Sequence, residues 1–121
     1  MADVTVTPTR LTPGTEGTAH DGGSSITTGQ TFAIDCKGDY RGLFLEIFDS
    51  GGSASVVTID AGDYPPAMLK FKGADTITLT ASKSKPYVPE KGRHEQSDGS
   101  ILGSNLGGTI KILAYWLPLG Y

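Results

Sequence analysis

The chain has 121 residues, 37 % of them hydrophobic and 19 % charged, with 17 glycines and a formal net charge of −3. That length suits a single core, and the acidic balance leaves no basic footprint for a phosphate backbone, so nucleic acid is not an expected partner. No apolar run approaches the roughly 20 residues that span a bilayer, and the first ten residues lack the apolar segment of a secretion signal; the chain is expected to be soluble, made in the cytoplasm and without a membrane partner.

Residues 1–30 are rich in Thr, Gly and Ser and poor in large apolar side chains. They read as an extended arm, because such a stretch buries too little surface to offset its own ordering entropy. Within it Val4 and Val6 alternate with Thr5 and Thr7, a pattern that forms a strand where another surface offers an edge. Val4, Val6, Pro8 and Leu11 are therefore the candidate partner-binding residues of the arm, expected to be buried only in an assembly. Residues 31–121 read as a single domain.

From Thr31 onward the apolar period is two. Phe32 and Ile34 alternate, then Leu43, Leu45 and Ile47, then Val57 and Ile59, then Ile77 and Leu79. Short alternating runs at close spacing, with no helical apolar stripe of comparable length, predict an all-β antiparallel sandwich with little or no helix. Lys37-Gly38-Asp39 and Asp49-Ser50-Gly51-Gly52 punctuate the strands, and the second is expected to close a hairpin. Residues 54–80 read as two strands and their connection. Tyr64-Pro65-Pro66 in that connection cannot lie in a central strand, and is expected to cross between sheets or follow an edge.

Residues 82–92 contain Lys83, Lys85, Lys91, Pro86 and Pro89 and read as an exposed, solvated loop. Asp98-Gly99 predicts a tight turn between the polar run 93–97 and Ile101-Leu102. The most apolar run, residues 109–117, is expected to be a central strand covered on both faces at its end. Trp116 in that run packs in the core or stands at an interface, since its ring joins a large apolar area to one donor. Tyr64 and Tyr121 are further candidate interface aromatics.

Groups that carry chemistry are sparse. Cys36 is the single cysteine, so no intrachain disulfide or multi-thiolate metal site can form. It alternates with Phe32 and Ile34, which predicts a small buried residue and not a reactive thiol. His20 and His94 lie in no metal-ligand spacing, and His94 reads as a surface residue of a polar strand with Arg93 and Glu95 on the opposite face. Asp60 and Asp63 beside Gly62 lack the spacing of a calcium loop and read as a turn. No nucleophile elbow, phosphate loop or dinucleotide fingerprint is present. No catalytic residue, metal or cofactor is expected, and the chain is not expected to be an enzyme.

The strand-and-turn pattern itself carries a resemblance. Val56-Val57-Thr58-Ile59 followed by Ala61-Gly62-Asp63, then Gly73-Ala74-Asp75 leading to Ile77 and Leu79, Arg93 with Ser97-Asp98-Gly99-Ser100-Ile101, and Gly108-Thr109-Ile110 with Leu117-Pro118 together resemble the small capsid decoration (cementing) proteins of tailed bacteriophages. The likeness spans residues 26–118. It implies a jelly-roll-like β-sandwich on the outer surface of an expanded phage head, a homotrimer that binds the major capsid protein and braces neighbouring subunits. A carbohydrate- or receptor-binding sandwich using Tyr40, Tyr64, Tyr87, Trp116 and Tyr121 as a stacking platform is the alternative from another class, and a tail or neck component the nearer one.

Overall fold

Each alternating run becomes a strand whose apolar residues point inward, and the inward faces of two sheets share one core. The structure, a computed structural model, describes residues 2–11, 23–63 and 70–117. In the first sheet, β1 (Val4–Val6) lies beside β4 (Thr31–Ile34), followed by β9 (Ile101–Gly107), β6 (Ser55–Ile59) and β7 (Asp75–Leu79). In the second, β2 (Thr9–Arg10) and β3 (Ser24–Ile26) both pair with β10 (Ile110–Trp116), which pairs with β5 (Leu43–Asp49) and that with β8 (Ser84–Tyr87). The protein is an all-β sandwich. Phe32, Ile34, Val57, Ile59, Ile101 and Ile77 from one sheet meet Leu43, Leu45, Ile47, Ile110 and Ile112 from the other.

Strand β10 is central, as its apolar run requires. Ile110, Ile112 and Ala114 face the core, while Tyr115 on the other face is also buried and packs on Phe44 with ring centroids 5.3 Å apart. On β9 the inward position Gly103 has room for no side chain, since a Cβ there would stand 2.4 Å from Phe32 Cζ and 2.5 Å from the Thr58 carbonyl oxygen. The absence of a side chain lets the Phe32 ring lie across the strand.

The described parts of residues 1–30 correct the expectation of a separate arm. Strand β1 pairs in parallel with β4, β2 in parallel with β10, and β3 antiparallel with β10. The edge that the Val4/Val6 alternation needs is supplied by the chain itself. Val6 and Ile26 are core residues, at 2 % and 0 % exposure, and the chain passes from one sheet to the other at Thr7-Pro8, where a residue without an N–H costs no ladder bond. Thus the sandwich begins before residue 31.

Two further connections differ from expectation, those at residues 49–52 and 82–92. Strands β5 and β6 lie in different sheets, so residues 49–52 turn a corner between sheets instead of closing a hairpin; Ser50 N–H donates to the Thr109 carbonyl there at 3.0 Å. Strands β6 and β7 are direct antiparallel partners, Val57 opposite Ile77, so the connection between them returns to its own sheet. Tyr64, Pro65 and Pro66 lie outside the described residues. Residues 82–92 contain β8 and the start of the helical turn α1 (Lys91–His94), with Pro86 tolerated because β8 is an edge strand.

Because β1 completes the core of the isolated chain, Val6→Ala is expected to lower its stability to denaturant by about 1–3 kcal/mol, the loss of two core methyl groups. An unchanged unfolding midpoint would place Val6 outside the core.

Candidate functional site

The densest polar cluster joins the open side of the sandwich, where β7 of one sheet and β8 of the other have no further strand among the described residues. Helical turn α1 carries it. The turn takes residues 93 and 94 of the run expected to be extended, while Glu95 keeps an antiparallel bridge to Ile101, so Arg93 and His94 diverge by a helical step instead of facing opposite ways. His94 is fully buried. Its Nδ1 lies 2.9 Å from the carbonyl oxygen of Asp60, just past β6, and its Nε2 lies 2.9 Å from the Tyr87 hydroxyl at the end of β8. That hydroxyl donates to Asp75 Oδ2, at the start of β7, over 2.7 Å.

Arg93 ties the same strands from the other side. Its Nε donates to the Gly73 carbonyl at 2.9 Å and Nη2 to the Ala74 carbonyl at 3.1 Å, while Nη1 lies 3.7 Å from Glu90 Oε1 and 3.9 Å from Asp75 Oδ2. Backbone bonds complete the join: Gly62 N–H to the Arg93 carbonyl at 2.7 Å, and Asp63 N–H to the Glu95 carbonyl at 3.2 Å. Gln96 Nε2 donates to the Ala61 carbonyl at 3.1 Å. Burial pushes the His94 imidazole down from its ordinary value and the Asp60 carboxyl up. Burial, and then the bond to Asp75, push the Tyr87 hydroxyl far up, so it keeps its proton.

A second cluster holds the neighbouring turn. Gly99 has a φ of 85°, and a Cβ on it would stand 2.6 Å from the Gly38 nitrogen, so only glycine permits this approach. Gly38 N–H donates to the Gly99 carbonyl at 3.0 Å, and the Cys36 thiol donates to the same oxygen at 3.2 Å. Cys36 is fully buried, as its alternation predicts, and burial raises its thiol above the ordinary range, which suppresses thiolate chemistry. Asp98 Oδ1 accepts from the Ser100 hydroxyl at 2.6 Å and from its N–H at 3.0 Å, and these bonds hold the Asp98 carboxyl below its usual value.

The residues singled out by sequence do not gather into one binding surface. Val6 and Pro8 are buried in their own chain; Val4 and Leu11 are half-buried, and Leu11 N–H donates to the Trp116 carbonyl at 2.8 Å. Their use in the chain's own sheets replaces the expectation that they are buried only in an assembly. Trp116 packs partly against the core, donates from Nε1 to the Asp39 carbonyl at 2.8 Å, and lies under the Arg10 guanidinium at 5.2 Å. Tyr64, Tyr121 and His20 lie outside the described residues. Of the aromatic platform, Tyr40, Tyr87 and Trp116 are turned inward: the first two spend their hydroxyls on Ser100 and Asp75, and Trp116 its indole N–H on Asp39. Asp60 meets His94 through its backbone carbonyl, while the Asp63 carboxylate accepts from the Ser97 N–H at 3.4 Å.

Tyr87, Asp75 and His94 come from three separated runs, and no local sequence pattern links them. The local signal for α1 is Pro89 just before it, a residue favoured at helix starts. On the outer face of the first sheet lies a groove of about 650 Å³, floored by Thr5, Ala33 and Leu102 and rimmed by Asp35, Asp60 and Asp98. Phe71 and Val88 stand 77 % and 71 % exposed, one beside Lys72 and the other two residues before Glu90, which form an ion pair at 3.6 Å.

Comparison with family models, with curated proteins and with solved structures finds no match to this chain.

Because two carbonyls depend on the Arg93 side chain, Arg93→Met is expected to lower stability by about 2–3 kcal/mol, read as the shift of the denaturant midpoint at unchanged slope. A change below about 0.5 kcal/mol would mean that water replaces the guanidinium at no cost.

Proposed function

We propose that this protein is a structural component of a virion that decorates the outer surface of an expanded phage capsid and bridges neighbouring copies of the major capsid protein. The observation that supports this reading is where the resembling stretches lie. Ala61-Gly62-Asp63, Gly73-Ala74-Asp75, Arg93 and Ser97 to Ser100 are far apart in sequence, yet all meet in two neighbouring clusters of hydrogen bonds. Their atoms bond to one another, so the likeness rests on parts that hold loops in place. A cementing protein needs such parts, because its task is to stay rigid while the shell beneath it is under load.

A small domain also gains from being bound, since a partner that binds only the folded form adds RT ln(1 + [L]/Kd) to its stability. Phe71 and Val88, beside the Lys72–Glu90 pair, are among the exposed apolar side chains, with Leu106 and Leu117, that burial against the shell would cover, and self-association into a trimer would repeat that contact around a three-fold axis. The glycan-binding alternative loses support here, because three of its five aromatics are tied inward.

The test is cosedimentation of the purified protein with expanded heads and with unexpanded precursor heads of the virus that encodes it. Saturable binding to expanded heads, at a copy number set by the icosahedral lattice, is expected. Phe71→Ser is expected to weaken that binding about tenfold or more while leaving folding intact, as removal of an exposed apolar anchor should. Absence of binding to either kind of head would overturn the proposal.

A further inference from the structure

The chain of contacts through His94 does not balance with the protons these groups ordinarily carry at neutral pH. The Asp60 carbonyl can only accept, so His94 Nδ1 must carry a proton and donate it over 2.9 Å. The Asp75 carboxylate can only accept, so the single proton of the Tyr87 hydroxyl goes to Asp75 over 2.7 Å. His94 Nε2, 2.9 Å from the Tyr87 oxygen, then faces a lone pair, and that contact is a hydrogen bond only if Nε2 carries a proton as well. Three contacts need three protons. A neutral imidazole, a phenol and a carboxylate supply two.

We propose that His94, Tyr87 and Asp75 form a binding site for one proton, occupied in the folded protein at neutral pH, with His94 held as an imidazolium that donates from both ring nitrogens. The proton comes from solvent and enters the His94 Nε2 lone pair. It closes an unbroken donor chain from the Asp60 carbonyl across His94 and Tyr87 to the Asp75 carboxylate, and so latches β6, β7 and β8 together. The alternative seat, the Asp75 carboxyl, is opposed by the Arg93 guanidinium 3.9 Å away.

The groups that face His94 act in both directions. Burial and Arg93 work against the charged ring, while the Asp60 carbonyl, Asp75 and Glu90 favour it. Tyr87 of β8 faces it as a neutral acceptor, and the Asp60 carboxyl just past β6 is itself pushed up by burial. Taken together these contributions, burial foremost, hold the ring below its ordinary value and favour its neutral form. An unmade contact between two lone pairs in a dry site opposes that outcome, since a buried polar atom without its partner is costly.

The sign of the pH dependence separates the two cases. If folding holds the extra proton, the folded state binds more protons than the unfolded chain above the ordinary histidine value of about 6.5, and stability falls as pH rises past it. If His94 is kept neutral, stability falls as pH drops below that value. The first case also limits the latch to a role in acid or neutral surroundings.

The experiment is long-range proton–nitrogen NMR of the His94 ring in the full chain, with His20→Gln leaving one histidine to observe, between about pH 5 and about pH 9. The expected result is that both ring nitrogens are protonated at pH 7 and titrate above about 6.5. In Asp75→Asn the new amide donates to the Tyr87 oxygen, the hydroxyl turns to donate to His94 Nε2, and the ring is expected to be singly protonated at pH 7. Above about pH 6.5 the unfolding equilibrium constant should rise with pH by up to tenfold per unit in the parent chain and stay flat in Asp75→Asn, whose stability instead falls as pH drops below about 6.5. A singly protonated ring at pH 7 in the parent chain would overturn the proposal, and that observation stands even if Asp75→Asn fails to fold.

Discussion

Two sheets that share a core must be joined along the side where their last strands end, and in this chain the join is polar. Strands β7 and β8 belong to different sheets, and no hydrogen-bond ladder links them. Arg93 and His94, one helical turn long in their support, reach β6, β7 and β8 at once through the Asp60, Gly73 and Ala74 carbonyls, the Asp75 carboxylate and the Tyr87 hydroxyl. The apolar core fixes how far apart the sheets stand. The join fixes how their open ends sit relative to each other, and with them the positions of Phe71 and Val88.

On the opposite side the join is covalent and short. The chain leaves β1 in the first sheet at Val6 and enters β2 in the second at Thr9. Arg10 then covers Trp116 and bonds Asp39 at 3.2 Å, which brings the β2–β10 edge against the turn after β4. Asp39 also bonds Arg41, whose backbone and side-chain N–H groups hold its carboxyl below the usual range. The two sides thus use different means for one purpose: strand crossing on one, side-chain bonding on the other.

Much of this was legible in the residues. The period of two in β4, β5, β6 and β7 set both the sheet class and the inward side chains, because alternation has one meaning on a pleated strand. The glycine of Asp98-Gly99 marked its turn, and the apolar run of β10 marked a central strand. What alternation cannot express is which edge a strand meets. Val4 and Val6 announced a strand in want of a partner, and the partner was β4 of the same chain, which three residues of local pattern could not reveal. His94 was misplaced for a related reason: a four-residue helical turn shows no periodicity, and the Tyr87 and Asp75 that bury it lie 7 and 19 residues away in sequence.

The central claim is that the Arg93–His94 join, and not the core alone, holds β7 and β8 in place. Native-state hydrogen exchange of Tyr87→Phe against the parent chain tests it most directly, since that change removes one hydroxyl and leaves the ring in the core. The account predicts that amides of β7 and β8 lose protection together while those of β4, β9 and β10 keep theirs. Equal loss in every strand, or no loss in β7 and β8, would contradict it.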